Sequence, residues 1–171
     1  MFLLILLLFV FTIFAFAVTN KGVGKVLSNR GCKEYRLSDY SNWLQNHVRN
    51  NKDWNRIKSC LVDDKVCAEF NQKFASETIE QFYQEDLSSI QSVCCKLTDE
   101  CNFTYKAPTQ WEKPANVSSF SNPDCGLCDN RPEKLCFDCE SCKGGVLDNL
   151  ITLQGFDAFV KKNAIIIFFL I

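Results

Sequence analysis

Histidine is nearly absent from this sequence: His47 is the only one in 171 residues. A His-based metal site or a Cys–His catalytic pair therefore has one residue to draw on, and no nucleophile elbow or phosphate-binding loop compensates. Net charge is also close to nil, with 19 basic against 20 acidic residues. That leaves no broad basic field for nucleic acid. Prolines are few, and all four lie between residues 108 and 132. Internal repeats and low-complexity stretches are missing. These absences argue against an enzyme, a nucleic-acid binder and a repeat protein.

Charge is also absent from Met1 to Val18, whose only hydroxyl is Thr12. A helix over 18 such residues runs about 27 Å, near the ~30 Å of a bilayer's hydrocarbon core. We therefore expect a transmembrane helix over residues 1–19. A second apolar run, Ala164 to Ile171, has eight residues. It is too short to span and reads as the start of a further membrane helix. The competing reading is a cleaved secretory leader, with Ala15-Phe16-Ala17 as its small-residue cleavage site. Against it, no basic residue precedes the apolar run, which also exceeds the about 7–15 residues of a leader core. Lys21, Lys25, Lys161 and Lys162 fall on the outer side of the anchored topology, which the positive-inside tendency disfavours.

What the sequence has in abundance is cysteine. Eleven residues, Cys32, Cys60, Cys67, Cys94, Cys95, Cys101, Cys125, Cys128, Cys136, Cys139 and Cys142, lie between the apolar ends. In an oxidising compartment such a load reads as a disulfide framework. Two glycosylation sequons, at Asn102 and Asn116, share the region. Together they place residues 20–163 outside the cytosol. An odd count leaves at least one cysteine out of any intrachain set.

Helical periodicity is confined to residues 36–95. Ser38 or Asp39 is expected to cap a first helix whose apolar face holds Tyr40, Trp43, Leu44, His47 and Val48. Trp54, Ile57 and Leu61 mark a second, Val66, Phe70, Phe74 and Thr78 a third. Phe82, Leu87, Ile90 and Cys94 suit a fourth that runs into the cysteine pair. From 96 to 143 the periodicity stops. A stretch so long has to be held by cross-links, each worth about 2–5 kcal/mol in a small domain. Gly144-Gly145 then leads into a final helix over 146–163, weakened by Gly155. The expected class is all-α: a transmembrane helix, then a helical, disulfide-rich extracellular domain with a long cross-linked irregular segment.

Chemistry is scarce in this reading. His47 is expected to serve packing or surface. The repeated C-x₂-C spacing of Cys125, Cys128, Cys136 and Cys139, with Cys142, resembles a zinc site, although an oxidising compartment favours disulfides. Trp43 and Trp54 read as core aromatics rather than a carbohydrate platform, and Trp111 remains open. Asp63-Asp64 and Glu85-Asp86 read as solvated surface. Adjacent Cys94 and Cys95 are strained as a mutual pair and more naturally send two bridges to distant partners. No catalytic residue, metal or cofactor is expected.

A string of motifs in order resembles the large extracellular loop of plant tetraspanins. They are Asp39-Tyr40-Ser41-Asn42-Trp43-Leu44, Ile57-Lys58-Ser59-Cys60-Leu61, Val93-Cys94-Cys95-Lys96, Phe103-Thr104-Tyr105, Asn122-Pro123-Asp124-Cys125 and Leu135 to Lys143. Val93 and Leu97 replace the glycine and proline that usually flank the double-cysteine signature, Cys128 replaces a tryptophan, and Cys32 is unexpected. The resemblance implies a third membrane span, the large loop and the start of a fourth span. It implies a scaffold that associates laterally with other membrane proteins in the lipid bilayer, including tetraspanin homo- or hetero-oligomers, at the plasma membrane. Plant members are often described as senescence-associated. It further implies bridges from Cys94 and Cys95 to later cysteines, with Cys125 and Cys142 foremost. Cys60 and Cys67 are close enough in sequence to pair locally. Cys101, Cys136 and Cys139 complete the family-like set. The alternative function is a secreted disulfide-rich ligand or defence protein.

Overall fold

A computed structural model describes residues 2–19, 35–82, 85–115 and 119–153. Cys32, the Asn116 sequon, Gly155 and the 164–171 run lie outside the described residues. Helix α1 (Phe2–Thr19) is uncharged. Its 18 residues span about 27 Å. Its side chains from Ile5 to Phe11, and Ile13, are about half exposed, so an apolar surface stands uncovered. Among the described residues, no helix is long and apolar enough to cross a membrane.

The head begins with a 3-10 turn at Leu37–Asp39 rather than the helix expected from Ser38 or Asp39. The helix starts later because Tyr40 leaves the turn in an extended conformation and is buried. Ser41 is the real cap of α2 (Asn42–Arg49), its hydroxyl accepting from the Leu44 amide. Asn50 ends α2 and caps α3 (Asn51–Asp63), accepting from Lys52 and Asp53 amides at 3.0 and 3.4 Å. One side chain thus turns a corner between two helices by satisfying orphan donors. Lys65, in the left-handed region at φ 53, makes the next corner into α4 (Val66–Phe74).

Trp54 and Leu61 of α3 and Phe70 and Phe74 of α4 are buried, as their spacing requires. Thr78 falls outside the third helix. Its hydroxyl and the Gln81 side chain exchange hydrogen bonds with each other's amides and start the short α5 (Ile79–Phe82). The expected fourth helix is therefore split. Phe82 belongs to α5, while Cys94 lies in a wide π-type turn, Gln91–Cys95. Phe70, Phe74 and Phe82 meet edge to face at 5.0, 5.4 and 5.9 Å.

The cross-linked segment contains a short hairpin. Strands β1 (Thr104–Ala107) and β2 (Gln110–Glu112) pair antiparallel, with Tyr105 opposite Trp111 and a bulge between Tyr105 and Ala107. Tyr105 bridges the halves, its ring 5.7 Å from Phe82 and 5.1 Å from Trp111. Trp111 is therefore a half-buried packing residue, and this hairpin is an addition to an otherwise helical class. After the short α6 (Asp124–Leu127) comes α7 (Glu140–Leu153). It starts before the glycine pair, not after it. Gly145 is needed there: a Cβ would sit 2.4 Å from Val93 Cγ2 and 2.6 Å from the Ser89 carbonyl oxygen. The glycine lets α7 lie directly on the segment that carries the cysteine pair.

Candidate functional site

The double cysteine is the hub. The π-type turn points its two sulphurs apart, so Cys94 bridges Cys142 of α7 and Cys95 bridges Cys67 of α4, with Cα separations of 4.7 and 5.1 Å. Three elements are thereby tied at one place. Cys101–Cys125 and Cys128–Cys136 close the cross-linked half. The local Cys60–Cys67 pair is corrected: Cys67 faces the core, whereas Cys60 is unbridged on the exposed face of α3. Cys95 reaches backward to Cys67, not forward to Cys125, because α4 packs against the turn. Cys128, outside the family-like set, is bridged, and Cys139, inside it, is a buried free thiol. Burial pushes that thiol up, and the nearby Asp124, Asp138 and Glu140 carboxylates add to the effect.

Of the C-x₂-C candidates, Cys128, Cys136 and Cys139 gather with their sulphurs within 4.8 Å of one another. Two of the three are joined as a disulfide, and Cys125 and Cys142 bridge elsewhere. The donor set in this form does not fit zinc, which needs thiolates.

Asp124 is a structural residue that periodicity does not reveal. It is buried, and its two carboxylate oxygens accept from the Glu140 and Ser141 amides, both at 2.9 Å. A side chain on α6 thus caps α7 and complements its positive end. Further down α7, Asp148 accepts from Ser89 at 2.5 Å, and Ser89 Oγ lies 3.0 Å from the Tyr35 hydroxyl. Burial raises the Tyr35 phenol, with Asp148 adding to it, and burial likewise pushes Tyr40 up.

Beside the capped end opens a groove of about 740 Å³. Arg36, Arg49, Glu100, Asn122, Asp124 and Glu140 are among its lining residues. Its charges are largely matched in place. Arg49 reaches Glu140 at 2.8 Å, Arg36 lies 3.5 Å from Glu100, and Asn122 donates to Glu100 at 2.9 Å. Such a surface offers apolar contact area edged by paired charges. Among the described residues, no nucleophile with a paired base lines it. His47 lies on α2 with its ring 4.1 Å from Trp43 and its Nδ1 2.9 Å from the Trp43 carbonyl oxygen. The aromatic neighbour, expected in the core, is itself 48% exposed.

Asn102 is exposed in a left-handed conformation at φ 52, directly after bridged Cys101. Thr104, the hydroxyl of its sequon, is exposed on β1.

Comparison with known proteins agrees with this arrangement. A Tetraspanin family profile matches residues 1–171. Tetraspanin-7 of Arabidopsis thaliana is 51% identical over all of this chain and 64% of its own length. Tetraspanin-8 of the same plant is 55% identical over 88% of this chain and 55% of its own. Protein TORNADO 2 is 37% identical over 80% of this chain and 49% of its own. The chain thus spans about half to two thirds of the length of these curated relatives. No solved structure gives a significant match. With a full-length family match, plant relatives above half identity and a double cysteine knotted to α4 and α7, the chain belongs to the tetraspanin family.

Proposed function

We propose that this chain acts as a membrane scaffold of tetraspanin type, gathering other membrane proteins by lateral contact through its extracellular head. The observation that carries the reading is the division of labour along the chain. An uncharged helix leaves an apolar surface open for lipid, and a head whose described residues carry four disulfides holds an open groove edged by paired charges. Cross-linking lowers the conformational entropy lost on binding, which suits a surface that works by contact alone. In this reading residues 20–163 lie outside the cytosol at the plasma membrane. Partners include further tetraspanin copies. Glycans at Asn102 and Asn116 decorate the head, and no substrate is turned over.

Two differently tagged copies expressed in plant cells test the proposal by energy transfer at the plasma membrane. Transfer above that of an unrelated single-span protein of equal abundance is expected. It should fall when Arg36 and Arg49 are both changed to Glu, with surface expression maintained. Transfer at the level of the unrelated control, or recovery of the head in the medium cleaved after Ala17, would overturn it in favour of a secreted factor.

A further inference from the structure

The buried thiol of Cys139 is not isolated. Its sulphur lies 3.4 Å from Cys128 Sγ, and Cys128 is already bonded to Cys136. All three sulphurs fall within 4.8 Å of one another. Thiol–disulfide exchange needs a thiol in contact with a disulfide sulphur, and the partner that leaves must have somewhere to go. Both conditions are met. Cys136 borders a cavity of about 230 Å³ shared with Cys95, Leu97, Phe103 and Trp111. Cys139 is fully buried.

We propose that Cys128, Cys136 and Cys139 form an intramolecular exchange site that moves a free thiol from the closed interior to the Cys136 cavity, where it is open to modification by small thiol-reactive molecules. Cys139 gives up its proton and attacks Cys128 Sγ. The Cys128–Cys139 bond forms as the Cys128–Cys136 bond breaks, and Cys136 leaves as a thiolate that takes up a proton. The electron count is unchanged, so no oxidant or reductant is consumed. The remaining three disulfides keep their partners, and the hub at Cys94 and Cys95 is undisturbed. The resting pairing is protected because the Cys139 thiol is held protonated. Burial and the carboxylates of Asp124, Asp138 and Glu140 favour the neutral form, against a smaller opposing effect of Lys143. Exchange is accordingly slow in the closed head.

The test uses the full chain, purified from membranes without reductant and treated with N-ethylmaleimide at mildly alkaline pH. Digestion with trypsin and an Asp-directed protease cuts between Phe137 and Asp138, separating Cys136 from Cys139. The expected result is maleimide on Cys136 rising in step with a Cys128–Cys139 linked peptide. In Cys139→Ser, labelling of Cys136 should drop at least about tenfold, since no thiol then lies against the Cys128–Cys136 bond. Folded Cys136→Ser should carry the Cys128–Cys139 bridge alongside the other three. A wild-type chain that keeps Cys128–Cys136 whole with Cys136 unlabelled overturns the proposal. So does Cys136 labelling that persists in Cys139→Ser, or folded Cys136→Ser with both Cys128 and Cys139 alkylated. If Cys136→Ser does not fold, the wild-type and Cys139→Ser digests decide the matter alone.

Discussion

The two halves of the head share one buried core but differ in how much cross-linking is added to it. Residues 35–82 are built as helices, with α3 and α4 burying Trp54, Leu61, Phe70 and Phe74 and the three phenylalanines packing edge to face. Beyond the cysteine pair, the regular structure among the described residues is a 3-10 turn, a hairpin and two α-helices, and further bridges are added. The apolar half derives its stability from area removed from water, which acts in the folded state. The bridged half adds Leu97, Leu135, Phe137, Val146 and Leu147 to the same core and gains further from limiting the unfolded chain. A protein that must vary its contact surface while keeping its shape gains from the second arrangement, because cross-links place few demands on the side chains between them.

The comparison can be broken from the apolar side first. Phe70→Ala should cost about 3–5 kcal/mol, the usual range for a fully buried aromatic. The loss should appear as a lower thermal midpoint of the chain in micelles, with amide protection falling in α3 and α4. From the bridged side, the double change Cys94→Ser with Cys142→Ser should cost about 2–5 kcal/mol. Here hydrogen exchange should rise first across residues 96–142, while α3 and α4 stay protected. Equal deprotection of both halves would show that they are one cooperative unit rather than two.

The seam between the halves gives a sharper test. Gly145→Ala should destabilise by about 1–3 kcal/mol through overpacking. Adding Val93→Ala should not restore it, because the Ser89 carbonyl is backbone and cannot rotate away. Rescue in a thermal melt would place the contact on the valine alone.

The smallest effect concerns the clamp between α2 and α7. Partial burial would raise Glu140, but hydrogen bonds from Arg49 and Lys143 outweigh it and hold the carboxyl below its ordinary value. A lowered folded value means the stabilisation is present above the unfolded glutamate range and is lost as pH falls through the folded value. With the carboxylate 42% exposed, the pair contributes about 0–1 kcal/mol. Arg49→Ala should therefore barely move the melt at neutral pH, while raising the Glu140 titration midpoint followed by side-chain NMR.

The helical half was largely legible because burial imposes a period. Trp54, Ile57 and Leu61, then Phe70 and Phe74, sit where a 3.6-residue repeat requires them. Its errors came at the ends. Ser38, Asp39 and Thr78 are all competent caps by residue type, and the choice among caps turned on Tyr40 entering the core and on Gln81 reaching back to Thr78. The hairpin was missed because its strands have four and three residues, too short for alternation to register. Asp124 sits within a family-like motif, but its role as a cap for amides at 140 and 141 has no local signature.

Sequence alone settled the apolar segment, the cysteine load, the helical character of the first half and the kinship of the chain. Each is a property of composition, period or motif order, which chain position records directly. The pairing of the cysteines was decided only in three dimensions. A disulfide forms between sulphurs that the fold brings to about 2 Å, and that proximity depends on where α4, α7 and the wide turn at Gln91–Cys95 lie. The same placement left Cys60 outside, sealed Cys139 inside and opened the groove between Arg49 and Glu100. Chain separation carries none of that information, since residues 28 and 48 apart met at one hub while seven residues kept Cys60 from Cys67.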